Sequence, residues 1–254
     1  MYKKNQSTIL ETEEKQWFQT WFNTPFYHIL YNNRDNEEAE AFISKLINFL
    51  KPEPMAKVLD LACGTGRHSI MLSKLGLKVL GVDLSTASIN EAKQLETSTL
   101  QFEEHDMRSI VKLQGFDLIF NLFTSFGYFE LPEDNQRVLD ACYSQLLPGG
   151  KLVLDYFNSE KILPSLPQFA QEKRGDLCFE IEKFKLDGQI VKSIKFTDGD
   201  ESYHFEERVF AYSLAQLQAM ILAAGFHIQE VFGNYALEKF DTASERVILI
   251  AVKK

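Results

Sequence analysis

The sequence predicts an α/β protein in which a doubly wound, mostly parallel sheet carries an antiparallel β insertion. Short apolar runs alternate with helix-length stretches over the first part of the chain, which is typical of buried parallel strands and crossover helices. The pattern then changes to alternating apolar and polar residues at about 178–212, and two strand-like runs follow. With 254 residues, 45% of them hydrophobic, the chain can bury the core of a single domain, 1–254.

Two helices are expected before the main sheet, at 13–31 and 37–50. Apolar residues recur there at helical spacing, Pro25 interrupts the first pattern and Pro52 follows the second. Residues 1–54 are therefore expected to form a helical cap.

The parallel part of the sheet is expected within 55–158. Pro148-Gly149-Gly150 supplies the turn after the second of two predicted crossover helices, because proline cannot continue a helix and glycine permits positive φ. The predicted strands are Lys57–Leu61, Lys78–Val82, Phe116–Phe120 and Lys151–Tyr156, and the predicted helices are Ser85–Leu95 and Glu133–Leu147.

The insertion is expected at 170–212, where turn signals at Asp187-Gly188 and Asp198-Gly199 separate alternating stretches. Because it follows a strand that ends at the carboxyl edge of the sheet, we interpret it as a lid over that edge, with a dimerisation arm as the alternative. Residues 213–254 would complete the core. They contain a predicted helix at Ser213–Ala224 and predicted strands at Phe226–Phe232 and Arg246–Val252.

Composition argues against several classes of partner. The formal net charge is −9 and the basic residues are dispersed, so a nucleic-acid-binding surface is not expected. Met1–Lys15 is polar and no apolar run approaches the roughly 20 residues that span a bilayer, so we expect a cytoplasmic protein without a membrane segment. Cys63, Cys142 and Cys178 lie far apart, which predicts neither a metal site nor disulfides.

The chemistry is concentrated in Val58-Leu-Asp60-Leu-Ala62-Cys-Gly64-Thr-Gly66-Arg-His68, where an apolar strand runs into a glycine turn and then a helical pattern. Glycines let a backbone pass close to a ligand. The third glycine of a dinucleotide fingerprint is missing, because Ser69 stands in its place. Asp60 at the strand end favours a cationic ligand, since a carboxylate can accept hydrogen bonds from an amine.

The stretch from Asp60 to Gly66 resembles motif I of class I S-adenosylmethionine-dependent methyltransferases. The resemblance implies S-adenosyl-L-methionine as cofactor, and a seven-stranded sheet with an antiparallel last strand. It also implies that Asp83 holds the ribose hydroxyls and that Asp106 and Met107 contact the adenine. The end of the strand Phe116–Phe120 would face the sulfonium. The cofactor-binding residues implied in this way are Asp60, Ala62, Gly64, Gly66, Asp83, Leu84, Asp106, Met107, Asn121 and Leu122.

The segment Phe26–Asp35 resembles the tyrosine-rich N-terminal part of small-molecule methyltransferases, which caps the cofactor. The resemblance adds Tyr27, Tyr31 and Arg34 to the expected cofactor contacts. The alternative is that these side chains belong to the surface and packing of a helix.

Candidates for contact with the methyl acceptor are Asn121, Tyr128 and Tyr156, which could orient or hydrogen-bond it. His68 is interpreted as structural or solvent-facing. The insertion adds three further candidate contacts, for which the simpler interpretation is the solvated face of a hairpin. A group of six aromatic residues, four of them in one short loop after Phe116–Phe120, has two open interpretations, core packing or the wall of a substrate pocket. The insertion residues are His204, Glu207 and Arg208, and the aromatic group is Phe123, Phe126, Tyr128, Phe129, Tyr156 and Phe157.

The predicted function is methyl transfer from S-adenosylmethionine to an N, O or S nucleophile of a small molecule. No arrangement of side chains in the sequence is identified as the strong base that a hydroxyl acceptor needs. The methyl acceptor is therefore expected to be an amine or a readily ionised group. Two alternatives stay open: a catalytically silent S-adenosylmethionine-binding regulatory protein, and an NAD(P)-dependent dehydrogenase. The acceptor and the oligomeric state are left open, with a homodimer as one alternative.

Overall fold

The computed structural model describes residues 16–31 and 36–254. Within these residues each helix is too short or too polar to cross a membrane. The helices are α1 (Trp17–Trp21), α2 (Pro25–Tyr31), α3 (Asn36–Leu50), α4 (Arg67–Lys74), α5 (Thr86–Ala92), α6 (Pro132–Gln145), α7 (Ser159–Ile162) and α8 (Leu214–Ala223). The strands are β1 (Lys57–Leu61), β2 (Lys78–Asp83), β3 (Leu100–Glu104), β4 (Phe116–Asn121), β5 (Leu146–Phe157), β6 (Gln168–Arg174), β7 (Leu177–Leu186), β8 (Gln189–Asp198), β9 (Glu201–Phe210), β10 (His227–Phe232) and β11 (Arg246–Val252).

The main sheet has seven strands in the order β10-β11-β5-β4-β1-β2-β3. β1 pairs in parallel with β2 and β4, while β11 runs antiparallel to both β5 and β10. β1, which lies between β4 and β2, is buried apart from its first residue, as its apolar sequence predicts. The predicted fold class is therefore confirmed, including the antiparallel last strand.

Helices cover both faces of this sheet. Buried apolar side chains of α3, α4 and α5, such as Phe42 and Leu72, pack on one face. Those of α6 and α8, such as Leu139 and Leu217, pack on the other. The sheet is therefore doubly wound, and its strands place their carboxyl ends along one shared rim.

The second sheet is antiparallel, in the order β6-β7-β8-β9, and it follows β5 in the chain as an insertion. It spans 168–210, whereas alternation predicted 170–212; Tyr212 packs instead in the main core. One face of this sheet packs against α1 and α2. The side chains buried between this sheet and the two helices form a core of their own, which contains Trp21, Leu30, Phe179, Ile181, Ile194 and Phe196.

The boundaries of the first helix and of α6 also differ from the prediction, and β5 begins at Leu146 instead of Lys151. The first predicted helix, 13–31, is two short helices, because the chain turns before Pro25; residues 13–15 lie outside the described part. The helix predicted at Glu133–Leu147 runs from Pro132 to Gln145 instead, since Leu146 already pairs with Phe116 as part of β5.

Candidate functional site

A cavity of about 610 Å³ opens at the rim formed by the carboxyl ends of β1, β2 and β4. Its size lies in the range of small-molecule pockets, and its position is where open α/β sheets bind ligands. The structure brings most of the predicted site residues together here. Those that line the cavity are Tyr27, Tyr31, Asp60, Ala62, Gly64, Asp83, Leu84, Asp106, Met107, Leu122 and Tyr128.

The floor of the cavity is the glycine turn between β1 and α4. Ala62, Gly64 and Gly66 all adopt positive φ, at 57°, 57° and 86°. A Cβ at Gly64 would meet no protein atom within 4 Å, so the backbone leaves space for a ligand there. Cys63 fixes the turn, because its N–H donates to the carbonyl of Val82 at 3.0 Å.

Gly66, a predicted cofactor contact, differs from Gly64 in its surroundings. It is not among the residues that line the cavity, and the ring of Phe102 fills the place of its absent Cβ. Packing and the left-handed backbone therefore both require a glycine at this position.

Asp60 is the penultimate residue of β1, and its carboxylate is 1% exposed. Its Oδ2 accepts a hydrogen bond from the Ser69 hydroxyl at 2.6 Å. Burial raises the pKa of Asp60 to about 7, and the nearby Asp83 carboxylate adds to that increase. A cationic ligand beside Asp60 would stabilise its ionised form.

Asp83 ends β2 and connects two parts of the rim. Its Oδ2 accepts from the Gly64 N–H and its Oδ1 from the Ser85 N–H, both at 2.8 Å. Burial raises the pKa of this carboxyl, although backbone N–H donors of Ser85, Gly64 and Leu84 oppose the effect. A carboxylate has about four acceptor positions, so Asp83 can also accept from a donor in the cavity.

Asp106 follows β3 and is held by Arg108. The Arg108 Nε donates to both carboxylate oxygens, at 3.1 and 3.0 Å, and Nη1 donates to Asp134 at 2.7 Å. Burial alone would raise the pKa of Asp106, but the Arg108 hydrogen bonds outweigh it and the pKa is lowered. Arg108 also lies over the ring of Phe129, 4.5 Å from its centroid. The carboxylate is thus kept ionised and fixed in position.

The N-terminal helices form one wall of the cavity and are fastened to the small sheet behind them. Glu207 of β9 accepts from the Tyr31 hydroxyl at 2.6 Å and from Trp21 Nε1 at 2.8 Å. The Lys192 ammonium donates to the Tyr31 hydroxyl. Burial and the Glu207 carboxylate raise the pKa of Tyr31. The wall side chains from these helices are Phe18, Phe22, Tyr27, His28 and Tyr31.

This arrangement corrects the predicted contacts from the insertion. In the described part of the chain, no residue of 168–210 lines the cavity. Glu207 acts behind Tyr31, His204 contacts the Ser193 hydroxyl at 2.9 Å, and Arg208 pairs with Glu206. The small sheet supports the wall rather than forming it.

The aromatic group in the loop after β4 and at the end of β5 divides between the cavity and the core. Phe123, Tyr128 and Phe129 line the cavity. The core members are Phe126, Tyr156 and Phe157. This placement corrects the prediction that Tyr156 contacts the acceptor, because Tyr156 is fully buried and its hydroxyl donates to the carbonyl of Phe210.

Asn121 ends β4 beneath the cavity lining and is 1% exposed. Its Nδ2 donates to the sulfur of Met107, which does line the cavity, at 3.9 Å. Its Oδ1 is buried without a hydrogen-bond partner among the described residues. An unsatisfied buried acceptor of this kind is costly, so a donor from a ligand would stabilise it.

Several residues that line the cavity were not predicted from the sequence. His68 was interpreted as structural or solvent-facing, yet it lines the cavity and stacks on Phe123 with ring centroids 4.7 Å apart and planes at 9°. Arg67 beside it donates to His68 Nε2 at 3.2 Å. A positively charged side chain directly after a glycine turn was the available signal. Arg34 lies outside the described residues.

The chain is similar to methyltransferases. A methyltransferase domain family matches residues 58–150. A dTDP-3-amino-3,4,6-trideoxy-alpha-D-glucopyranose N,N-dimethyltransferase of Streptomyces venezuelae is 31% identical over 230 residues, which cover 82% of this chain and 91% of the relative. A glycine/sarcosine N-methyltransferase of Parasynechococcus marenigrum (strain WH8102) is 28% identical over 209 residues, covering 79% and 73%.

A solved structure shows the same fold. An S-adenosylmethionine-dependent methyltransferase from Clostridium acetobutylicum ATCC 824 superimposes with a TM-score of 0.77 at 22% identity, over 89% of this chain and 97% of that one. The likeness includes the region outside residues 58–150, because it extends over nearly the whole chain.

Proposed function

The chain belongs to the S-adenosylmethionine-dependent methyltransferases, and from this premise we propose that it methylates an amine of a small acceptor molecule. Its cofactor is S-adenosyl-L-methionine. One observation carries the proposal: carboxylates near the carboxyl ends of three strands, Asp60, Asp83 and Asp106, line a single cavity with the glycine turn. A cationic ligand with vicinal hydroxyls and an exocyclic amine offers a donor for each of them.

The residues present fit this cofactor. Asp60 would hold the ammonium of the methionine part, since its buried carboxylate gains most from a cationic partner. Asp83 would accept from the ribose hydroxyls, and Asp106 from the adenine amine. The space left at Gly64 admits the ligand close to the backbone. When bound, the cofactor supplies a methyl group on a positively charged sulfur, which is open to attack by a nucleophile.

The chain's own residues would then position the acceptor and exclude water. Phe123, Tyr128 and Phe129 form an aromatic wall after β4, where the acceptor would meet the methyl group. Tyr128 carries a hydroxyl for hydrogen bonding. The unsatisfied Oδ1 of Asn121 would accept an N–H at the same strand end.

An amine is the acceptor best supported. The two relatives described above are N-methyltransferases, one of an amino sugar nucleotide and one of glycine and sarcosine. A neutral amine also needs no strong base at the moment of attack, whereas a hydroxyl does. We further propose that the protein acts in the cytoplasm, where its free thiols, Cys63, Cys142 and Cys178, stay reduced.

The proposal is tested by a turnover screen with S-adenosylmethionine carrying a labelled methyl group. The acceptors are amino sugars and their dTDP derivatives, glycine, sarcosine, phenols and carboxylic acids. We expect label in one or more amines, and less label with the Asp83→Ala protein at a cofactor concentration below the wild-type Kd. Transfer only to phenols or carboxylic acids contradicts an amine acceptor, and tight cofactor binding without transfer to any of them contradicts an enzyme of this substrate range.

A further inference from the structure

The loop after β4 has an unusual backbone. Phe123 and Thr124, neither of them glycine, adopt positive φ of 56° and 61° in succession. Such conformations are disfavoured for residues with a Cβ, and most of all for the β-branched Thr124, so neighbouring groups must hold them.

A buried ion pair does so. Asp155 of β5 is fully buried, and Arg246 of β11 binds its Oδ1 through Nε at 2.8 Å. The other carboxylate oxygen, Oδ2, accepts from the Phe123 N–H at 2.8 Å, while the Asp155 carbonyl accepts from the Thr124 N–H at 3.1 Å. Arg246 Nη2 donates to the Thr124 hydroxyl at 2.9 Å. Both strained residues are therefore attached to the pair by backbone and side-chain bonds, and the Tyr235 hydroxyl adds a further donor to Asp155.

This backbone sets the position of the Phe123 ring. The ring lines the cavity, stacks on His68 and carries Arg67 over its face, 5.2 Å from the centroid. Tyr235 supports it from the ion-pair side, with ring centroids 5.1 Å apart. In a relaxed loop with negative φ the Cβ of Phe123 would point elsewhere, and this part of the wall would be lost.

We propose that Asp155 and Arg246 are positioning residues for methyl transfer, because they hold the strained Phe123-Thr124 backbone and so place the Phe123 ring against the acceptor. Neither residue lines the cavity. The inference rests on the proposed function in its use of an acceptor, but the placement of the ring is a property of the protein alone.

The first test uses turnover, with the amine that gives the highest rate in the screen. Arg246→Met should lower kcat/KM for that amine tenfold or more, while the Kd of S-adenosylhomocysteine changes less than threefold. Phe123→Ala should lower it to a similar degree, and the double variant should be no worse than Phe123→Ala within twofold, because the effect of Arg246 passes through the ring. Arg246→Lys should recover part of the rate.

The matched control is Lys161→Met. It removes an ion pair to Glu245, the residue next to Arg246, in an exposed position away from the cavity, so kcat/KM should stay within twofold. Where Arg246→Met is too unstable to assay, Thr124→Val removes only the hydroxyl that Arg246 binds and should show a smaller loss of the same kind. Multiplicative losses in the Arg246 and Phe123 double variant, or an equal loss of S-adenosylhomocysteine affinity, overturn the proposal.

The second test needs no acceptor. With 4-fluorophenylalanine at position 123, the fluorine NMR spectrum of the protein should show one sharp resonance, and Arg246→Met should broaden or split it while Lys161→Met leaves it unchanged. If no amine is methylated but this spectrum behaves as expected, the proposed function fails and the positioning of the ring stands. An unchanged spectrum in Arg246→Met overturns the positioning role whatever the screen shows.

Discussion

The ring of Phe102 fills the space that a side chain on Gly66 would need, and its edge also lies 2.7 Å from where a Cβ on Gly81 would be. One ring on β3 therefore packs against two glycines, one in the turn after β1 and one in β2. This contact closes the glycine turn from below and leaves its upper side, at Gly64, to the cavity.

Gly66→Ala should consequently destabilise the protein by about 2 kcal/mol or more, from positive φ and from the clash with Phe102 together. Gly76→Ala is the matched control, because Gly76 has a similar φ of 89° but nothing within 4 Å of its Cβ position. Denaturant unfolding of both variants separates the two contributions. Equal losses would show that the Phe102 contact contributes nothing, and Phe102→Leu should recover part of the Gly66→Ala loss.

Cofactor affinity should depend on pH through Asp60. With a pKa of about 7 the carboxyl is mostly protonated at pH 6, and binding of an ammonium beside it requires loss of that proton. The Kd of S-adenosylhomocysteine should therefore fall by about tenfold between pH 6 and pH 8, as calorimetry can measure. Asp60→Asn should bind more weakly at pH 8 and show a flat profile. A wild-type Kd that is constant over this range contradicts the assignment of Asp60 to the ammonium.

The same residue should lower the stability of the ligand-free protein at high pH. Because the folded state binds the Asp60 proton more tightly than the unfolded state, the free energy of unfolding falls as pH rises from about 4 to about 7. Asp60→Asn removes this cost and should raise stability at pH 8 by roughly 1–3 kcal/mol. At pH 4 the wild type and the variant should unfold alike. A variant that is less stable at pH 8 would contradict the desolvation argument.

Asp83→Ala should weaken cofactor binding by roughly 1–3 kcal/mol, because charged hydrogen bonds to the ribose are lost along with the Gly64 and Ser85 contacts. Calorimetry with S-adenosylhomocysteine measures the change. Glu103→Ala, an exposed acid on the neighbouring β3, is the control and should bind like wild type. Unchanged affinity in Asp83→Ala would remove Asp83 from the ribose.

Glu207→Ala should loosen the N-terminal helices from the small sheet, because Trp21 and Tyr31 lose their shared acceptor. We expect the Kd of S-adenosylhomocysteine and the KM of the acceptor to rise fivefold or more, with a small change in thermal stability. Glu206→Ala, whose carboxylate pairs with Arg208, is the matched control. If both variants behave like wild type, the small sheet does not support the cavity wall.

The sequence predicted the residues whose position follows from topology alone. Asp60 and Asp83 lie at the carboxyl ends of neighbouring parallel strands, within one residue of the last, so they must meet at one edge once the strands are identified. Gly64 and Gly66 look alike in the sequence, and only the position of Phe102, on another strand, separates a ligand-facing glycine from a packing glycine.

Aromatic side chains near the strand ends were harder to place. Tyr128 lies in the loop after β4 and lines the cavity, whereas Tyr156 lies on β5 and bonds to the Phe210 carbonyl at the end of the insertion. His68 was not predicted as a lining residue. It stacks on the Phe123 ring, whose position depends on positive φ at Phe123 and Thr124, and neither residue type predicts that conformation.

The bond between Trp21 and Glu207 joins residues 186 positions apart in the chain. During synthesis on a ribosome, the glycine turn and its neighbouring strands emerge long before the partner of Trp21 does. Closing so long a loop costs entropy that local contacts do not repay in advance, which makes it a slow step in folding. The N-terminal helices find this partner only after β9 has left the ribosome, so we expect nascent chains that have not yet released β9 to be the most vulnerable to aggregation.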